Sequence, residues 1–151
     1  TATVKEFERK QLLERVRREG ATVGASIPDE IEVQGETVDL REFVFEIKRR
    51  DTVPPGERER VEAAKRNLRR ERLQRVQRIE DGDVTREEGE ALVESVVGID
   101  RALNALEGLG PVDLEGEMER QEAADRKRWM KFLRQALGHE ESSSRSRGRG
   151  R

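Results

Sequence analysis

The chain has 151 residues, 42% of them charged and 32% hydrophobic, with a net charge of only −2 at neutral pH. It has no Cys and no Tyr, so disulfides, thiol nucleophiles and thiolate metal sites are excluded, and imidazole chemistry falls to the single His139. No apolar run approaches the ~18 residues of a membrane-spanning helix, and residues 1–10 are charged with no apolar stretch of the secretory kind. A cytoplasmic protein with a thin core is the expectation.

Thr3 to Glu19 reads as a first helix, rich in good helix formers and stopped by Gly20. Its apolar residues Val4, Phe7, Leu12, Leu13 and Val16 drift around the axis, so the buried stripe should be broad. Gly24, Ser26 and Pro28 mark a loop. Ile31–Val33 and Thr37–Leu40 alternate apolar and polar residues on either side of Gln34-Gly35-Glu36, a β-hairpin signal at about 31–40. Such a hairpin is marginal alone and should pack on a helix. Asp39 can cap a short helix from Leu40 to Arg50, anchored by Phe43, Val44 and Ile47. Val53-Pro54-Pro55-Gly56 breaks it. Pro55 or Gly56 then opens a long helix to about Glu80, ~36 Å at ~1.5 Å per residue. Val61, Ala64, Leu68, Val76 and Ile79 share one sector of it, with Leu73 at the edge.

Asp81-Gly82-Asp83 makes a turn, after which Thr85 and Glu88 have the spacing of a capping box. The helix from Arg86 to about Glu107 carries the cleanest apolar stripe, Leu92, Val96, Ile99, Leu103 and Leu106, with Gly89 on the same face. The two helices should form an antiparallel hairpin. Gly108-Leu109-Gly110-Pro111 ends it. Asp113 can cap a last helix that closes at Leu137 with Gly138 as its stop. The anchors of that helix are Leu114, Met118, Trp129, Phe132, Leu133 and Ala136. No apolar residue follows Leu137, so 139–151 should be a disordered basic tail. The fold expected is mainly α: a helical hairpin or bundle over 1–138, a single domain, with one small β-hairpin near its N-terminus.

The near-zero net charge conceals strong blocks. Residues 57–80 carry nine Lys/Arg and five Asp/Glu, net +4; residues 81–119 carry two Arg and twelve acids, net −10; residues 126–151 carry nine Lys/Arg and two Glu, net +7. The first two blocks can neutralise each other across the helical hairpin. The last has no such neighbour and is suited to a polyanion.

Within it, Arg145, Arg147, Arg149 and Arg151 alternate with Ser and Gly, like the Arg-Ser and Arg-Gly segments of RNA-binding proteins. A flexible backbone and guanidinium groups can pair with phosphate and stack on bases. Lys127, Arg128, Lys131 and Arg134 extend this basic character back along the last helix. Arg66, Arg69 and Arg70 group on one side of the long helix, whereas Lys65, Arg72 and Arg75 lie beside or within its apolar sector, where their stems can cover core. Trp129 reads as a core anchor.

Other chemistry finds little footing. Asp81, Asp83, Thr85, Glu87 and Glu88 loosely follow the pattern of a calcium loop, but Arg86 stands where that loop needs Gly. His139 next to Glu140 is isolated on a mobile end, and there is no phosphate-cradling Gly loop. No catalytic, metal or cofactor set is assigned, and an enzyme is not expected.

KEFERKQLLERV, IPDEIEVQGETVDLREFVFEIKRRD, VPPGERERVEAAKRNLRRERL and VGIDRALNALEGLGPVDL, which cover most of residues 5–114, resemble a family of small uncharacterised proteins from halophilic archaea. The six Lys against 25 Arg and the abundant Glu look haloarchaeal as well. Proteins of such organisms are usually strongly acidic, so the resemblance makes a near-neutral balance unusual and consistent with nucleic-acid contact.

The function expected is that of a non-enzymatic, nucleic-acid-associated protein, bound to RNA or a ribonucleoprotein such as the ribosome through Lys127, Arg128, Lys131, Arg134 and the tail arginines. The alternative is a helical protein-interaction module that docks through its acidic helix.

Overall fold

The computed structural model describes residues 2–20, 27–50, 52–54, 56–111 and 123–149, with the backbone alone at 123–124 and 139–149. The elements are α1 (Glu6–Gly20), β1 (Ile31–Val33), β2 (Glu36–Val38), α2 (Leu40–Arg50), α3 (Arg58–Asp81), α4 (Arg86–Glu107) and α5 (Ala123–Arg149). The chain is mainly helical with one small antiparallel hairpin, as its periodicities predict. The expected helix start at Asp113 and the anchors Leu114 and Met118 lie outside the described residues.

Two helices begin later than expected. The Val4 N–H donates to the Val84 carbonyl at 2.8 Å and Thr3 bridges Thr85, so the chain stays extended against the α3–α4 turn before α1 begins at Glu6. Before α3, Gly56 takes a φ of 81° and the Glu57 N–H closes a turn on the Pro54 carbonyl at 3.1 Å. Those residues form the approach to the helix, which begins at Arg58.

In the hairpin, Ile31 pairs with Val38 and Val33 with Glu36. Gln34 and Gly35 both have positive φ, 47° and 88°, which is the two-residue turn that matches strand twist. Ile31, Val33 and Val38 point into the core, and the turn is fastened to α3: Gln34 donates from its backbone N–H and its side chain to Glu71 Oε1 at 3.1 and 3.0 Å.

Half of α4 is buried, because α1, α2 and α3 all pack on it. Two of its glycines permit this. A Cβ at Gly89 would lie 2.6 Å from Leu12 of α1, and one at Gly98 would lie 2.6 Å from Leu40 of α2. Thr85 and Glu88 make both bonds of the predicted capping box, each 3.1 Å long. The backbone bond to Thr85 holds the Glu88 carboxyl below its usual range.

The basic α3 lies antiparallel to the acidic α4. Arg69 reaches Glu107 (3.3 Å), Arg72 reaches Asp100 (2.6 Å), Arg75 donates to Ser95 (2.9 Å) and Arg78 reaches Glu88 (4.0 Å). Arg72 and Arg75 are half-buried along the apolar sector, their stems on the core and their heads on acceptors. The core has two connected apolar groups, one where α1 meets α3 and α4, the other among the hairpin, α2, α3, α4 and α5. Phe7, part of the broad stripe read in α1, is exposed; Leu12 and Val16 carry that contact. Among the described residues no helix is long and apolar enough to cross a membrane.

Candidate nucleic-acid interface

α5 has two contrasting faces. Trp129, Phe132, Leu133, Ala136 and Leu137, spaced at helical period, are buried. Phe132 stacks on Phe43 of α2 with ring centroids 6.3 Å apart, and the Arg50 guanidinium lies 4.9 Å above the Trp129 ring. Trp129 is thus the core anchor its spacing implies. On the opposite face Lys127, Lys131 and Arg134 follow at i, i+4 and i+7, all exposed.

These three line an open groove of about 740 Å³ with Arg128, Met130, Gln135 and Glu36 of β2. Among the described residues, four of the lining side chains are cationic and one is acidic. Lys131 Nζ is 3.9 Å from the Asp39 carboxylate and 5.1 Å above the Phe132 ring. Gln135 braces the groove: it accepts from the Asp39 N–H and donates to the Asp39 carboxylate, both at 3.0 Å. The groove floor is therefore fixed to the start of α2.

Arg128 has a second attachment. It donates to Glu46 at 3.0 Å and to Asp125 at 2.7 Å. Asp125 also receives Arg49 at 3.1 Å and Arg50 at 2.6 Å. Glu46 and Arg50 are each 3% exposed and lie one turn apart on α2, 3.6 Å from one another. Arg128 thus serves as a tie between α5 and α2, while Lys127 and Arg134 extend outward. None of Glu46, Arg50 and Asp125 stands out in the sequence, because their burial depends on α2 and α5 meeting. The i, i+4 spacing of Glu46 and Arg50 beside Phe43 and Ile47 is the one local sign of it.

Residues 4–134 match a family of unknown function, DUF5788. The chain belongs to that family. No curated protein and no solved structure matches it.

The DUF5788 match takes in Lys127, Arg128, Lys131 and Arg134 and stops short of the tail. The matched stretch thus includes these four positions, and the Ser/Arg/Gly segment lies beyond it. The side chains of Arg145, Arg147 and Arg149, and all of Arg151, lie outside the described residues, as does the His139 side chain. Arg66, Arg69 and Arg70 sit on the exposed face of α3, away from the groove lining. Of these, Arg69 is occupied by Glu107 of α4. Among the described residues no three His, Asp or Glu side chains gather into a metal-binding group.

Proposed function

We propose that this DUF5788 protein is a non-enzymatic nucleic-acid-associated protein that holds RNA or a ribonucleoprotein, such as the ribosome, on the outward face of α5. The observation that carries this reading is the convergence of Lys127, Lys131 and Arg134 on one open groove, with only Lys131 drawn towards a carboxylate. Phosphate contacts by such a row release counterions, which makes binding electrostatic and insensitive to sequence. The tail arginines Arg145, Arg147, Arg149 and Arg151 follow in the sequence and add to the basic charge of this end of the chain.

The acidic helix supports this reading by being occupied. Glu88, Glu90, Asp100 and Glu107 of α4 all face arginines of this chain, and half the helix is buried. The Lys-poor, Glu-rich composition fits an origin in a halophilic archaeon and a cytoplasmic place of action.

The test is a salt titration of RNA binding. Three versions are compared: the full chain, the chain without 139–151, and a Lys127→Gln/Lys131→Gln/Arg134→Gln variant. The triple variant should bind at least ten-fold more weakly and lower the slope of log affinity against log salt by about 2, the value for three phosphates on a single strand. Truncation should lower both further. Unchanged affinity in the triple variant rejects the groove, and equal affinity with and without 139–151 removes the tail from the mechanism.

A further inference from the structure

We infer that the nucleic-acid surface has a second wall, Arg66 of α3, so that a phosphate backbone lies across the seam between α3 and α5 rather than along α5 alone; this rests on the nucleic-acid reading above. Two contacts fix how the helices lie together. Arg60 Nη1 of α3 meets Met130 Sδ of α5 at 3.7 Å, and seven residues on Asn67 bonds the Leu137 carbonyl. Met130 is also part of the groove lining. Ala63, close to one turn after Arg60, packs on the same core group as Met130. The groove therefore opens onto α3.

The outer sides of the two helices follow from these contacts. On α3, Arg60 and Asn67 face α5, while Val61, Ala64 and Leu68 are buried in the core. At about 100° per residue, Arg66 falls on the other side of the α5-facing line from those core residues. On α5, Met130 and Leu137 lie towards α3, while Trp129, Phe132, Leu133 and Ala136 are buried in the core. Lys127 and Arg134 fall on the other side of the Met130–Leu137 line. Both helices cover one core, so these two outer sides adjoin. Arg66 is level with Ala136, two residues or about 3 Å along the axis from Arg134. The axes of packed helices lie roughly 8–10 Å apart.

Charge selects the occupant. Arg60, Arg69, Arg72, Arg75 and Arg78 of α3 each reach a carboxylate of this chain. Arg66, Lys127 and Arg134 are exposed and make no ion pair or hydrogen bond with any described residue. Glu62, one turn before Arg66, is drawn to Lys65 at 3.2 Å, which leaves Glu59 as the other acid on this side of α3. Like charges facing each other across a seam repel until an anion lies between them. One phosphate cannot reach both walls, whereas a backbone with a phosphate at every residue can. Among the described residues the floor offers Ala63 and Met130 as its apolar contacts, which favours a nucleic-acid backbone over a protein helix that must bury an apolar face.

The experiment measures binding of the full chain to labelled oligouridylate across a salt series. Arg66→Gln should weaken binding about five-fold at 0.1 M salt and lower the slope of log affinity against log salt by about 0.7, the loss of one phosphate contact on a single strand. Arg58→Gln is the control. Arg58 is equally exposed on α3 but lines a separate cleft with Leu106 and Leu109, so its loss should change neither quantity. Equal losses in the two variants would mean that net charge alone counts, which overturns the second wall. No loss in Arg66→Gln, beside a loss in Lys127→Gln/Lys131→Gln/Arg134→Gln, also overturns it and leaves the groove reading standing. A loss in Arg66→Gln seen with polyglutamate and not with oligouridylate assigns the seam to an acidic protein segment and overturns it as well. If the wild type does not bind oligouridylate, the groove reading falls and the second wall with it.

Discussion

The Asn67 carboxamide, buried midway along α3, donates to the Leu137 carbonyl in the last turn of α5 before Gly138, and lies 3.4 Å from the Ala136 carbonyl. α3 and α5 run parallel here: Arg60 touches Met130, and seven residues on Asn67 meets Leu137. Gly138 interrupts the helix, so the carbonyls just before it lack partners in their own helix, and Asn67 supplies one. Asn67→Leu should therefore cost about 1–3 kcal/mol, the penalty of leaving a buried acceptor unpaired. Urea unfolding followed by circular dichroism measures it. A cost near zero would mean that water reaches the Leu137 carbonyl.

Gly138 sits against this junction. Its φ of 71° and ψ of −166° lie in a region that only glycine adopts freely. A Cβ there would meet Asn67 Nδ2 at 3.1 Å, and Gln34 Cβ and the Val33 carbonyl at 3.2 Å. Gly138→Ala should lose about 1–3 kcal/mol from backbone strain, with the contacts adding to it. Gly56 is the comparison. It also has a positive φ, 81°, but nothing lies within 4 Å of its Cβ position. Gly56→Ala should therefore be the milder substitution in a thermal melt.

Glu46 and Arg50 form the buried half of the tie between α2 and α5, with Asp125 and Arg128 as the outer half. Removing Arg50 leaves the buried Glu46 carboxylate to Arg128 and Arg49 alone. Arg50→Ala should destabilise by less than the ~3–5 kcal/mol of a wholly uncompensated buried charge, since Arg128 still reaches Glu46, and should also take a cation from the Trp129 ring. The pair Glu46→Gln/Arg50→Met, which leaves no lone charge, should recover a large part of that loss. Denaturant curves of the two variants decide it. A double variant as unstable as the single one would show that the charges are required for packing in their own right.

The helices and hairpin are legible in the sequence because each is written locally. The stripe Leu92–Leu106, the Thr85/Glu88 cap and the Gln34-Gly35 turn all lie within a few residues of the element they define. What the sequence hides depends on pairs far apart in the chain. Thr3 and Val4 belong to an extended stretch only because Thr85 and Val84 are beside them. Glu46 and Arg50 look like solvent-facing charges until Asp125 and Trp129 cover them. The row Lys127, Lys131 and Arg134 follows from helical spacing, whereas the capture of Arg128 does not, since Glu46 lies 82 residues away.

Glu57 gives the fold a pH dependence of definite sign. Its side chain is largely buried just before α3, and Oε2 has no hydrogen-bond partner; the nearest cation, Arg60, is 3.9 Å away. Burial pushes its carboxyl above the usual range, and Arg60 and Arg50 only partly oppose this. The folded state therefore holds this proton more tightly than the unfolded chain. Below the unfolded value, about 4.3 for Glu, both states are protonated and nothing is lost. As pH rises through the folded value, the folded state must carry a poorly solvated charge, and stability falls by the amount linked to the shift. Glu57→Gln removes this cost. The variant should match the wild type near pH 4 and be the more stable of the two near pH 7, as read from urea unfolding at both. A Gln variant less stable than the wild type near pH 7 would mean that attraction to Arg60 and Arg50 outweighs the burial.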